Sequence, residues 1–340
     1  MPYYPEKGPE TGHEKPETAG TPEGKRGGKP VLIILMLVSL ALVIYGGTRL
    51  LTYIQELSAS RETSHELKQA YDNARQNTDT AETAKMNAGA EETAAESEPG
   101  EAASPVPEET EPEPAVTERA GKASLSGKLQ PVPYPDNPGL QVSSRFIQLR
   151  KKSGYIIGWL SMDGVDEAVV LKDNTFFLNH DAMGRKNSNG AIFLDQDISL
   201  LTRPYTVILY GHNMKSGNMF GKLKKYRDIS YLYDNMIVSF NSLYEDGKYA
   251  IFAVLEFSVL PEKSVWFDMW SLASDDISER ERAVRSLEKR SVQGSMLDVQ
   301  ADDQLLLLVT CLDGEDERLM VAARRLRDGE TETSLTFRRQ

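Results

Sequence analysis

Cysteine is almost absent: the 340 residues hold one, Cys311. A single thiol forms no internal disulfide and makes no cysteine-based zinc site, so any fold must stand on its core alone. Histidine is scarce too, confined to His13, His65, His180 and His212. An excess of positive charge is missing, because the formal net charge is −12. A nucleic-acid binder needs a basic face to neutralise phosphates, and this composition argues against that class. No internal repeat is found. Hydrophobic residues make up an ordinary 40% of the chain, but they gather in one N-terminal run and in the part after about residue 140. That unevenness argues against two globular domains, although the length allows them.

The segments follow from composition. Residues 1–30 are polar and rich in Gly, Pro, Glu and Lys, so a disordered tail is expected. VLIILMLVSLALVIYGG, from Val31 to Gly47, is unbroken by charge, and Leu50 and Leu51 follow Arg49. A helix of roughly 20 apolar residues crosses a bilayer, and residues 31–51 reach that length if Arg49 snorkels. A cleaved signal peptide has a shorter apolar core and a small-residue cleavage site, which Gly46-Gly47-Thr48-Arg49 does not supply. Lys25, Arg26 and Lys29 precede the span and Arg49 alone follows it closely, which places the N-terminus in the cytoplasm and the bulk of the chain outside. Residues 52–77 favour helix with a thin apolar stripe. Residues 78–138 are Ala, Glu, Thr, Ser and Pro, too polar to bury a core, and are expected to form an extended stalk.

The folded domain is expected over residues 139–340. It opens with a short amphipathic helix, Ser143 to Lys152. Strand patterns follow at Gly158–Met162, Ala168–Leu171, Thr175–Leu178, Ala191–Leu194, Tyr205–Tyr210, Met236–Asn241, Tyr249–Phe257, Leu305–Thr310 and Leu319–Leu326. One helix interrupts them at residues 274–291, capped by Ser274 or Asp275, with Ile277, Ala283, Val284 and Leu287 on one face. Short strands at this spacing predict a mainly β fold that closes into a barrel.

Two segments concentrate chemistry. In YTVILYGHNMKSGNMF a hydrophobic strand ends at Tyr210-Gly211-His212-Asn213-Met214; in LLLLVTCLDGEDERLMVAARRL a strand delivers Thr310-Cys311 to an acidic loop, and the next strand begins near Arg318. A lone Cys is by default a small buried hydrophobe. A thiol at a strand end beside a polar loop is partly exposed, and a nearby imidazole or guanidinium raises its thiolate fraction. His212 is the natural partner, since His13 and His65 fall in the tail and the juxtamembrane segment and His180 sits in a loop. Composition alone leaves both readings of the pair open.

The paired segments resemble sortases, and most closely class B. Gly158-Trp159-Leu160, Phe177-Leu178-Asn179-His180-Asp181, Gly190-Ala191-Ile192-Phe193-Leu194-Asp195 and Tyr210-Gly211-His212-Asn213-Met214 occur in the order that class uses, and the helix at 275–291 is a class B feature. The resemblance covers roughly Leu140 to Leu326. It implies a sortase-like barrel of about eight strands, with an N-terminal helix and a helix before the penultimate strand. It assigns Cys311 as nucleophile, His212 as general acid/base and Arg318 as stabiliser of substrate and oxyanion, with Arg324 and Arg325 as rivals farther along the strand. Tyr210, Asn213 and Thr310 become candidate substrate contacts. Val309, Leu312 and the segment Asp166-Glu167-Ala168-Val169-Val170 depart from the common class B pattern. The implied activity is acyl transfer from a C-terminal sorting signal of surface proteins to an amine of peptidoglycan or a pilin, outside a Gram-positive cell, with no metal or cofactor. Two rivals stand beside it: an exported cysteine peptidase using water, and a non-catalytic stalked binding module.

Overall fold

The computed structural model describes residues 28–92, 127–294, 297–312 and 316–335. The expected disordered tail up to residue 27, the stretch 93–126 of the expected stalk and the loop residues 313–315 lie outside them. The chain divides into two compact units between Thr52 and Tyr53. The boundary falls within helix α1 (Gly28–Glu92): its residues 28–52 belong to the first unit and the rest to the second, and its side chains from Val31 to Leu51 are all exposed. Among the described residues it is the one helix long and apolar enough to cross a membrane.

The second unit is built on eight strands: β1 (Ile156–Met162), β2 (Val165–Val170), β3 (Ile192–Leu194), β4 (Thr206–Tyr210), β5 (Ile237–Ser242), β6 (Asp246–Ser258), β7 (Leu305–Cys311) and β8 (Glu317–Arg325). They close into a barrel in the order β1-β2-β3-β4-β7-β8-β6-β5. This is the mainly β closed barrel that the sequence predicts. The β2–β3 and β4–β7 pairs are parallel, and the others are antiparallel.

The unbroken apolar run of β7 reflects burial on both faces. Leu306 and Leu308 belong to the larger core, whereas Leu305, Leu307 and Val309 pack in a second cluster with Ala283, Val284 and Leu287 of helix α4 (Ile277–Arg290). Strand β5, by contrast, alternates buried and half-buried positions, as a sheet with one covered face does. Helix α2 (Ser144–Lys152) buries Phe146 and Leu149 at the start of the barrel. The α4 helix lies before β7, the penultimate strand.

One buried charge fixes α4. Arg280 is fully buried and donates to the carbonyls of Ala301 at 2.6 Å, Tyr205 at 2.8 Å and Asp303 at 2.8 Å, to Thr206 Oγ1 at 2.6 Å, and to the Leu272 carbonyl. Burial pulls its pKa down to about 10, which still leaves it charged at neutral pH. The guanidinium thus ties the helix to the beginnings of β4 and β7, satisfying carbonyls that would otherwise be buried unpaired.

Three local features differ from the sequence reading. The segment Thr175–Leu178 is not a strand but a 3₁₀ turn, Phe176–Leu178. Asp173 Oδ1 accepts from Thr175 N at 2.9 Å and Phe176 N at 2.8 Å, offering these donors an alternative to a sheet ladder. The cap of α4 is Asp276, whose side chain accepts from Glu279 N at 2.8 Å, rather than Ser274 or Asp275. Segments read as stalk and juxtamembrane linker also pack on the barrel. Tyr134 is buried and donates to the Leu200 carbonyl at 3.1 Å, and Val132 bridges Arg203. On α1, Ser60, Thr63, Leu67, Tyr71 and Ala74 are buried, a single face at helical spacing. Tyr71 stacks on Trp159 with centroids 4.4 Å apart and planes 5° from parallel.

Candidate active site

Strand register brings Cys311, His212 and Arg318 to one rim of the barrel. The parallel β4–β7 ladder pairs Leu209 with Leu308 and Tyr210 with Val309. Beyond it Gly211 N donates to the Val309 carbonyl at 3.3 Å, and Thr310 Oγ1 donates to the Gly211 carbonyl at 2.6 Å. The two chains therefore leave the sheet side by side, His212 from one and Cys311 from the other. On the opposite side of β7 the antiparallel ladder pairs Cys311 directly with Arg318. The thiol is exposed, as the position at a strand end predicts.

The imidazole of His212 is held from behind. Its Nε2 lies 2.7 Å from the Leu178 carbonyl, which can only accept, so Nε2 carries a proton in this arrangement. Nδ1 is then the ring nitrogen left with a lone pair in this tautomer. The His212 carbonyl receives Met214 N at 3.1 Å and Phe220 N at 3.0 Å, which folds the following loop back beneath the residue. Gly211 permits this: a Cβ there would lie 2.9 Å from Phe220 Cδ2. The backbone on either side of His212 is thereby fixed.

The three expected substrate contacts separate. Thr310 is buried, and its hydroxyl is spent on the Gly211 carbonyl, so it splices β7 to the His212 segment rather than facing the rim. Asn213 bridges Met219 within the loop after His212. Tyr210 is half-buried beside Phe193, with ring centroids 5.4 Å apart. Burial raises its pKa, the negative charge and hydrogen bond of Asp195 raise it further, and the Arg318 charge opposes them. Tyr210 therefore remains a protonated phenol and links Asp195 to the Arg318 side of the site.

Arg318 donates from Nη1 to the Glu317 carbonyl at 3.0 Å. Its expected rivals stand elsewhere. Arg324 is opposite Leu305 at the far end of β7, buried, and paired in a fork with Glu330 at 2.6 and 2.9 Å. Arg325 pairs with Glu245 at 3.1 Å and donates to the Asp246 carbonyl at 2.7 Å. Sequence reasoning missed the Leu178 carbonyl, because a main-chain acceptor leaves no residue-type signal. It also missed Asp195 as the partner of Tyr210, although the Leu194-Asp195 strand end is visible in the sequence.

Residues 162–326 match the family described as the Sortase domain. Sortase B of Listeria monocytogenes is 28% identical over 176 residues, covering 50% of this chain and 68% of that protein. Sortase B of Staphylococcus aureus is 25% identical over 213 residues, covering 61% of this chain and 84% of that protein. The solved structure of sortase B from Listeria monocytogenes aligns with a TM-score of 0.46 at 26% identity, over 52% of this chain and 97% of that one.

Proposed function

Because the chain belongs to the sortase family and is similar to its class B members, we propose that it is a membrane-anchored cysteine transpeptidase acting through a thioester on Cys311. The observation that carries this reading is the rim itself, where β7 is flanked by β4 and β8 so that His212 and Arg318 approach Cys311 from either side.

In the first half-reaction the Cys311 thiolate attacks a backbone carbonyl in a sorting signal near the C-terminus of a surface protein. Negative charge moves to the carbonyl oxygen, where the Arg318 guanidinium supplies directed donors. Collapse of the tetrahedral species breaks the C–N bond, and the imidazolium of His212 gives the Nδ1 proton to the departing amine. In the second half-reaction an amine of peptidoglycan or of a pilin attacks the thioester. His212 Nδ1 takes its proton, the amide forms, and the thiolate is restored. The Leu178 carbonyl keeps the ring in one orientation through both proton transfers. The apolar run Val31–Leu51 anchors the chain, with the N-terminus in the cytoplasm and the barrel outside.

A library of labelled peptides incubated with the full chain in detergent tests this directly. Intact-protein mass spectrometry is expected to find a peptide adduct on Cys311, released by hydroxylamine and absent from Cys311→Ala. Adduct or turnover persisting in Cys311→Ala would remove the nucleophile assignment. Cleavage without any amide product when amine is supplied would favour a peptidase.

A further inference from the structure

The helix that follows the apolar span does more than connect. Its buried face changes character along its length. Toward the C-terminal end the contacts are apolar and aromatic: Leu67, Tyr71 and Ala74 are buried, and Tyr71 stacks on Trp159 while accepting from Asn241 Nδ2 at 2.8 Å. Toward the N-terminal end they are polar and fall on one loop of the barrel, residues 179–190. Asn187 Nδ2 donates to the Glu56 carbonyl at 2.9 Å, and the Glu56 carboxylate accepts from Ser188 Oγ and from Ser188 N at 3.4 Å. Thr63 Oγ1 lies 3.2 Å from Asp181 Oδ2, and Arg185 reaches both Thr63 and Asp181, the latter at 2.9 Å.

That loop is the back wall of His212. It leaves the 3₁₀ turn whose Leu178 carbonyl accepts from His212 Nε2, and it returns through Gly190 and Ala191, with Ala191 N donating to the Phe177 carbonyl at 3.0 Å. Gly190 has φ +66°, and a Cβ built on it would lie 2.4 Å from the Phe177 carbonyl and 3.0 Å from His212 Cδ2. The imidazole thus packs against the loop backbone with no room for a side chain. Inside the loop, Asn187 accepts from Asn189 N at 2.9 Å through its side chain and from Gly190 N at 3.1 Å through its carbonyl. A displacement of Asn187 and Ser188 is therefore passed within two residues to the surface that the ring touches.

We propose that Glu56 is a positioning residue for His212: by holding Asn187 and Ser188 it sets the loop that carries the Leu178 carbonyl and Gly190 against the imidazole. The proposal rests on the role of His212 given above. It makes the juxtamembrane helix part of the active site's supporting structure, so the chemistry depends on a residue just beyond the apolar span.

The test uses the full chain in detergent, labelled with ¹⁵N-histidine, together with the pH dependence of Cys311 alkylation by iodoacetamide. His212→Ala identifies the His212 signal and sets the full size of the alkylation change. In the parent, the His212 signal is expected to report the Nε2–H tautomer. Glu56→Ala is expected to broaden or shift that signal and to produce about half or more of the His212→Ala change in the alkylation profile. Glu56→Gln keeps an acceptor for Ser188 and should restore most of the parent behaviour. Ser188→Ala removes the hydroxyl contact and should reproduce most of the Glu56→Ala effect, and the double variant should add little to Glu56→Ala, because both act on the same pair of residues. A Glu56→Ala variant with a lower melting temperature but an unchanged His212 signal and alkylation profile overturns the proposal, and so does a silent Ser188→Ala. If His212→Ala itself leaves the alkylation profile unmoved, the failure lies instead in the role given to His212.

Discussion

Arg318 and Arg324 stand on one strand, yet the structure places them in different surroundings. Arg318 pairs with Cys311 at the rim, while Arg324 is buried and donates to Glu330 and, at 2.9 Å, to the Asp298 carbonyl. Losing a directed oxyanion donor typically costs about a hundredfold in turnover, and lysine keeps the charge without the planar fork. Arg318→Lys is therefore expected to lose about that factor with its melting temperature unchanged. Arg324→Lys should do the reverse, lowering stability by about 1–3 kcal/mol while folded enzyme turns over normally. Turnover and thermal melts of the two variants check both. Glu167 is a titrating group that acts on stability rather than chemistry. Burial pushes the Glu167 carboxyl from its ordinary 4.5 up to about 7, against the hydrogen bond from Ser64 and the Lys68 charge, which pull it down. The fold thus favours the protonated form: its stabilising contribution is complete below about 4.5 and lost as pH rises through about 7. Glu167→Gln should melt like the parent in acid and above it in mild alkali; an equal offset at both would contradict this.

At the scale of elements, the decisive packing is that of α1 on β1. Tyr71 is 4% exposed and Trp159 beneath it 1%. Tyr71→Ala removes the stacked ring and should destabilise the fold by about 3–5 kcal/mol. A fragment beginning at residue 139, where the sequence places the domain boundary, uncovers Trp159 and loses Tyr134. It should melt lower and associate more on size-exclusion chromatography than one beginning at residue 53. Equal behaviour of the two fragments would mean that the helix contributes nothing to the barrel. The contrast shows what a sequence reveals. Strands β4 and β7 are legible because burial on both faces writes a continuous apolar run. The docking face of α1 mixes Ser60 and Thr63 with Leu67, Tyr71 and Ala74, so its hydrophobic stripe is thin, and its partners are distant side chains such as Asp181, Arg185 and Trp159 that local pattern cannot show. Thr175–Leu178 misleads for the opposite reason: its apolar residues suit a strand, but the Asp173 side chain takes the amide groups first.

For the molecule as a whole, the proposed function gives anchoring to the apolar span and chemistry to the β barrel. That Cys311, His212 and Arg318 meet at one rim is readable because Cys311 ends β7, His212 lies two residues past β4 and Arg318 is the second residue of β8, where chain direction already limits what can meet. The loop that orients His212 is not readable, since it works through the backbone of Leu178 and Gly190. In the proposed reaction an amine, not water, releases the acyl group from Cys311. Mass spectrometry of the products from a captured peptide, with and without an added amine such as triglycine, tests it most directly. An amide carrying the amine is expected as the main product in the parent, with no product in Cys311→Ala. Hydrolysed peptide alone at saturating amine, or amide formed by Cys311→Ala, would contradict it.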